Sequence, residues 1–280
     1  MPTKKWVKTW ENIMFSNNIN YMRQNRDKAM LLKNDNIPSS LFQFRAINKF
    51  SLFNLHTNTI WMNTPNNFND PFDSAFAMKI PVDPIFDTPL CNSKTSISKE
   101  ECDIIKTIVS KTNNEINKKR VKDIKEYYSI SCFSENKDSI LMWSHYADQH
   151  KGFCIEYDTR TIPSNEEYKR NLLMPVIYSH DFLDMYEYWG QHTNINNPYA
   201  FHYAATRKSP VWRYEKEWRL IVEHEPFNMK FIAPCKIFLG AKISQKDEEI
   251  VMNFLPTTNV KLYKMEVDAN SFQLRAKQFG

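Results

Sequence analysis

Apolar positions along the chain follow two periods, one near 3.6 residues and one of two, and these divide it into helices and strands. Trp6, Trp10 and Met14 stand at helical spacing. A second helical run through Tyr21–Leu32 stops before Ile37-Pro38, where a following proline disfavours helical backbone. Residues 1–38 are therefore expected to form a helical extension that caps the domain. Leu41–Arg45 (LFQFR) alternates as a half-buried strand does. Asn48–Leu55 predicts a helix, Asn58–Met62 a strand, and 63–67 a turn. Pro81, Pro84 and Pro89 make Ala77–Leu90 an irregular connector. Ser98–Tyr128 is helical by period, with Ile104, Ile105, Ile108, Val109 and Ile116 on one side.

The stretch Ile130–Asp158 predicts strand, turn, helix, turn and strand. Ile130–Phe133 is apolar, Asp138 or Ser139 can cap a helix from Ile140, Lys151-Gly152 breaks the chain, and Phe153–Tyr157 is apolar again. Beyond it, Thr159–Leu173 reads as polar loop and Val176–Tyr178 as a short strand. Phe182–Tyr203 is expected to be helical on both sides of a break at Asn194–Pro198. Glu217–Val222 predicts a core strand, and Lys230–Leu239 a strand interrupted at Pro234. Gln245–Phe254 predicts a helix and Val260–Val267 a last strand. Many short strands with segregated helices make the fold class α+β, a single enlarged domain over 39–280 with its motif-bearing core at 41–240.

Composition mainly excludes. The chain has 280 residues, 42% hydrophobic and 25% charged, in the ordinary globular range. No apolar run approaches the ~20 residues that span a bilayer, and the first residues lack the apolar core of a signal peptide, so a cytoplasmic protein is expected. Five cysteines without a CxxC spacing point to reduced thiols rather than a disulfide frame or zinc site. Only four glycines occur, so neither GxGxxG nor GxxxxGK[ST] can be written, and a phosphate-cradling loop of either type is excluded. The formal charge of +5 permits an anionic partner without requiring one. The basic run Lys118-Lys119-Arg120 with Lys122 and Lys125 reads as a solvated helix face before a nucleic-acid patch.

Chemistry is concentrated in four places: FNDPFD at Phe68–Asp73, ISCFSE from Ile130, LMWSHYADQHKGFCIEYD from Leu141, and WRYEKEWRLI from Trp212. In this order they resemble the bacterial family DUF2971, a domain of unknown function, over about Leu41 to Gly240. That resemblance names relatives without naming a reaction. A second resemblance, to ADP-ribosyltransferases and among them the nucleic-acid-modifying toxins of the DarT type, does imply one. In those enzymes an early strand offers an Arg or His to NAD, a middle strand and helix carry aromatic and hydroxyl groups, and a late strand begins with the catalytic Glu. Here LFQFR supplies Arg45, SCFS and the following helix the middle element, and EWRLIV begins with Glu217. The helix with Trp143, His145 and Tyr146 departs from their pattern. The resemblance implies a central mixed, mostly antiparallel sheet like the ADP-ribosyltransferase split sheet, flanked by helices. It also implies NAD as substrate, no metal, a nucleic-acid or protein acceptor, no membrane, and a toxin or anti-phage role.

Under that reading Glu217 is the catalytic carboxylate beside the ribose, stabilising positive charge as the bond to neutral nicotinamide parts. Glu215 would share its strand face, if the strand reaches so far, and would orient the acceptor or raise its neighbour's pKa. Arg45 would pair with NAD phosphate or ribose through its planar fork. Trp143 or Tyr146 would stack on a ring and His145 would bond ribose, with Phe44, Asn69, Asp70, Ser131 and Ser134 completing the NAD-binding set. Structural alternatives stay open. Glu217 can be an ion-paired strand residue between Lys216 and Arg219, and Arg45 can bridge Asp70 or Asp73. Trp143 and Phe153 can be core, and Asp70 can be a local turn former. Two rival functions remain: a non-catalytic nucleotide or nucleic-acid sensing module, and a metal-dependent hydrolase using Asp70, Asp73, His145 and Glu156, for which no HxH, HExxH or DxD spacing exists.

Overall fold

A computed structural model of the chain describes residues 4–77, 98–185, 188, 199–256 and 259–279. Its centre is an eight-stranded sheet: β1 Ser40–Arg45, β2 Tyr128–Ser134, β3 Phe153–Asp158, β4 Leu173–Pro175, β5 Glu217–Glu223, β6 Lys236–Leu239, β7 Lys261–Val267 and β8 Leu274–Gln278. The spatial order is β8-β7-β6-β3-β1-β2-β5-β4. All neighbours are antiparallel except β6 and β7, whose parallel pairing follows a crossover through the helix Gln245–Asn253. The fold class is α+β, with helices on both faces of a mixed, mostly antiparallel sheet.

Alternation along the strands divides the core. One face presents Leu41, Phe133, Ile155, Tyr157, Trp218, Leu220 and Ile237 to the helices Lys49–Thr57 and Gln245–Asn253. The same face meets a separate two-stranded ladder of Thr59–Met62 with Phe227–Lys230. The other face is covered in two parts. Helices Lys5–Met14 and Ile19–Asp35 bring Trp10, Met14 and Ala29 onto Tyr128, Ile130, Met174 and Ile221. The helix Ile140–Tyr146 packs Met142 and Trp143 on Phe42, Phe44, Cys154 and Phe238.

Several expectations need correction. The stretch expected as loop after β3 contains a helix, Tyr168–Leu172, followed by β4 on the sheet edge. The segment Lys230–Leu239 does not run as one interrupted strand: Phe227–Lys230 joins the small ladder and only Lys236–Leu239 joins the main sheet, with Pro234 between them. Val260–Val267 is not last, because Leu274–Gln278 folds back beside it. Within Phe182–Tyr203, Leu183–Asp184 pairs in parallel with Phe76–Ala77, and Ala200–Ala205 is helical. The break at Asn194–Pro198 and most of the Ala77–Leu90 connector lie outside the described residues, as does Cys91.

Between β1 and β2 the sheet parts. They meet at a single register pair, Phe42 with Ser134, whereas β2 continues along β5 for seven pairs. The Gln43 side chain spans the gap: its amide donates to Ser131 Oγ at 2.8 Å and to the Cys132 carbonyl at 3.2 Å. A side-chain amide here takes up a backbone carbonyl that has no β1 partner in the parted ladder, and a hydroxyl beside it.

Candidate functional site

The cleft in the sheet holds a cavity of about 340 Å³, lined by Phe42, Phe44 and Arg45 from β1 and by Ser131, Cys132 and Ser134 from β2. His145 and Tyr146 reach it from the helix, Asn69 from the FNDPFD corner, and Glu215, Glu217, Lys208 and Asp73 form the floor. Nine of the eleven residues named above as catalytic or NAD-binding therefore line one cavity.

Two do not. Trp143 is fully buried; its ring N–H donates to the Lys137 carbonyl at 2.7 Å and its ring stands perpendicular to that of Phe44, the centroids 5.3 Å apart. It supports the wall from behind, because the helix turns Tyr146 rather than Trp143 toward the opening. Asp70 accepts from the Phe72 backbone N–H at 2.9 Å and so makes the turn its sequence suggests. The two serines line the cavity with their hydroxyls engaged. Ser131 accepts from Gln43, and Ser134 donates to the Glu215 carbonyl at 2.6 Å.

Sequence reasoning missed the floor's organisation. Three carboxylates and two cations are buried together: Asp73, Glu215, Glu217, Lys208 and Arg219. Arg219 binds Asp73 through two parallel contacts of 2.7 Å and donates from Nε to Glu217 at 2.8 Å. Nη1 also donates to the Ala205 carbonyl and Ser74, and Nη2 to the second oxygen of Glu217 at 3.2 Å. Lys208 contacts Glu217 at 2.8 Å, Glu215 at 2.5 Å and Asp73 at 3.5 Å. Lys208 stands in the two-residue strand Arg207–Lys208, paired in parallel with Ile177–Tyr178. Alternating charges in RKSPVWRYEKEWR hinted at ion pairing, but nothing local shows that Lys208 meets carboxylates seven and nine residues on.

Glu215 and Glu217 do not share a strand face. β5 begins at Glu217, Glu215 ends a 3-10 turn at Pro210–Glu215, and Lys216 between them is left-handed with φ 45°. That kink turns both carboxylates onto Lys208. Their electrostatics then diverge. Burial raises the Glu217 carboxyl, but the adjacent Arg219 and Lys208 charges prevail and hold it below the ordinary carboxylate range. Burial and the Glu217 charge push Glu215 up to about 7, against the pull of Lys208. Fully ionised, the cluster carries one negative charge too many for a buried site, and Glu215, which has Lys208 but not Arg219 on its oxygens, is the member that takes up a proton. Tyr146 donates its hydroxyl to Glu215 at 2.7 Å and is bonded in turn by the Asn69 side chain. Burial first, and the Glu215 charge second, raise that phenol above its usual range.

The model of the family described as "Protein of unknown function (DUF2971)" matches residues 142–220. That stretch of the chain is similar to the family. No curated protein and no solved structure matches the chain. The matched stretch carries Tyr146, Lys208, Glu215, Glu217 and Arg219; Arg45, Asn69 and Asp73 come from outside it. FNDPFD and ISCFSE, two of the motifs that suggested the family, precede the matched residues.

Arg45 forms no hydrogen bond or ion pair with a side chain among the described residues, in contrast to the bridge to Asp70 or Asp73 that its sequence allowed. Asp73 is taken by Arg219 and Lys208 instead. The guanidinium stays charged although burial lowers its pKa from the usual value. Among the described residues no group of three or more His, Cys, Asp or Glu is placed to hold a metal ion. Glu156, one of the four residues of the hydrolase alternative, is bonded by Ser40 and Lys236 and does not line the cavity.

Proposed function

We propose that this cleft breaks the bond between nicotinamide and ribose in NAD and transfers ADP-ribose to an acceptor. One observation carries the reading: the same cavity is lined by a buried cluster with one carboxylate more than it has cations and by a guanidinium, Arg45, that no side chain pairs among the described residues. NAD has the matching charges, a cationic nicotinamide riboside joined to an anionic diphosphate. As the C1′–N bond breaks, its electron pair leaves with the ring, which becomes neutral, and positive charge moves to C1′ and the ring oxygen. Ionised Glu215 stabilises that charge. The acceptor then bonds to C1′, and its proton passes to Glu215, whose pKa near 7 suits a base at neutral pH. Tyr146 orients the carboxylate. Glu217 acts one step back, by holding Lys208 and Arg219 beneath it.

Incubation with NAD labelled in the nicotinamide ring, with protein and nucleic acid supplied as acceptors, tests this. Nicotinamide release should fall about 100-fold or more in Glu215→Gln with KM little changed, whereas Arg45→Met should mainly raise KM. Release by the wild type at no more than the buffer rate sinks the reading. The toxin role that accompanies it predicts growth arrest on expression in a bacterium, relieved by Glu215→Gln. A second reading, a non-catalytic nucleotide sensor, is favoured by the engagement of Glu217 with Lys208 and Arg219 and of the Ser134 hydroxyl with the Glu215 carbonyl; it predicts that NAD raises Tm without turnover.

A further inference from the structure

Arg45, Phe44, Trp61 and Tyr146 line not one cavity but two. On the far side of this shared wall lies a chamber of about 530 Å³, closed by Ala46, Asn48, Phe50, Ser51, Phe53 and Asn54 with Asn228. Its lining contains no carboxylate, and from Asn36 to Asn69 the chain has no acidic residue at all. Three large rings stand in water around it: Phe50 is 70% exposed, Phe53 51% and Trp61 42%. Trp61 points away from the core because its neighbours Ile60 and Met62 in the two-stranded ladder point into it. Phe50 and Phe53, three residues apart, share one face of the Lys49–Thr57 helix. Such residues are normally buried; a cluster of them in a concave wall beside an unpaired cation marks a binding site.

We propose that this chamber is a nucleotide subsite, in which a planar base stacks on Phe50, Phe53 and Trp61 while its phosphates pair with Arg45. An aromatic wall recognises any base through its π face, and a guanidinium with free donors takes phosphate through two parallel hydrogen bonds. Because Arg45 lies between the chambers, the occupant is the far half of a two-part ligand joined by a diphosphate. That clause rests on the NAD reading above, in which the near half places its sugar beside Glu215.

Calorimetric titration of the full chain with ADP, adenosine and nicotinamide mononucleotide tests it. ADP should bind at least about tenfold more tightly than adenosine, and Arg45→Met should remove that difference. Phe50→Ala with Phe53→Ala should weaken ADP about tenfold or more while leaving nicotinamide mononucleotide affinity within about twofold. Both rings are exposed, so the double variant should keep the wild-type Tm. Absence of ADP binding, equal binding by the double variant, or binding of a short single-stranded oligonucleotide in place of ADP each overturns the proposal. The two ideas fail separately. Nicotinamide release without ADP binding removes the chamber and keeps the transferase, and ADP binding without release does the reverse.

Discussion

Glu215 and Glu217 are two residues apart, chemically identical, and held in opposite protonation tendencies by position alone. Glu217 has both cations of the cluster on its oxygens, whereas Glu215 has only a share of Lys208 and the Tyr146 hydroxyl. The difference predicts a pH dependence. If ionised Glu215 is required, kcat/KM should rise as pH increases through about 7, and the Glu215→Gln variant should lack that limb. Stability should move the other way. The folded pKa of Glu215 lies above the free carboxylate's 4.5, so its stabilising contribution is complete below that pH and is lost as pH rises through about 7. Tm measured from about pH 5 to pH 8 should therefore fall more in the wild type than in Glu215→Gln. Glu217, depressed, contributes the reverse and is lost only in strong acid. Replacing Glu217 with Gln leaves Lys208 and Arg219 with less negative charge around them in a buried site. It should cost about 3 kcal/mol or more in urea unfolding, by the general cost of breaking a buried pair.

At the scale of elements, the site depends on one tight corner. Helix Ile140–Tyr146 ends in three successive left-handed residues, Asp148, Gln149 and His150, at φ 45°, 54° and 72°. The turn is held because the amides of Gln149 and His150 donate to Ser144 and Trp143, and Gly152 donates to Ala147 at 2.8 Å. Left-handed backbone costs an L residue roughly 1–2 kcal/mol, so Gln149→Gly should stabilise the chain by about 1 kcal/mol in chemical denaturation. Gly152 cannot be replaced as cheaply. A Cβ there would lie 2.1 Å from the Arg45 carbonyl oxygen, and one on Gly240 would lie 2.1 Å from the His150 carbonyl oxygen. Gly152→Ala should therefore lower Tm by several degrees and weaken ADP binding through displaced Arg45. Two of the chain's four glycines thus serve close backbone approach around the cavity rather than a phosphate loop.

For the whole molecule, the first two helices are structurally continuous with the sheet. Trp10 and Met14 are fully buried, Trp6 stacks on Trp218, and Lys33 on the second helix donates to the carbonyls of Arg170, Asn171 and Leu173. Removal of residues 1–38 would uncover Ile130, Met174 and Ile221 on the site-bearing face. A chain beginning at residue 39 should lose cooperative thermal unfolding and expose dye-binding apolar surface. Lys33→Met alone should cost about 2 kcal/mol, by leaving buried carbonyls without a donor.

Strands, helices and their alternation were legible in the chain because burying one face imposes a local period on each element, as in LFQFR and EWRLIV. So were the residues of the cleft, since Arg45, Tyr146, Glu215 and Glu217 carry functional groups that a plain core has no use for. The parting of β1 from β2, the kink at Lys216 and the meeting of Lys208 with three carboxylates were not legible. Each depends on which side chains from distant segments become neighbours, and no local period encodes that. Folding alone decided which glutamate is held ionised by two cations and which is pushed toward its protonated form, because a carboxylate's proton affinity is set by the charges around it in space, not by its neighbours along the chain.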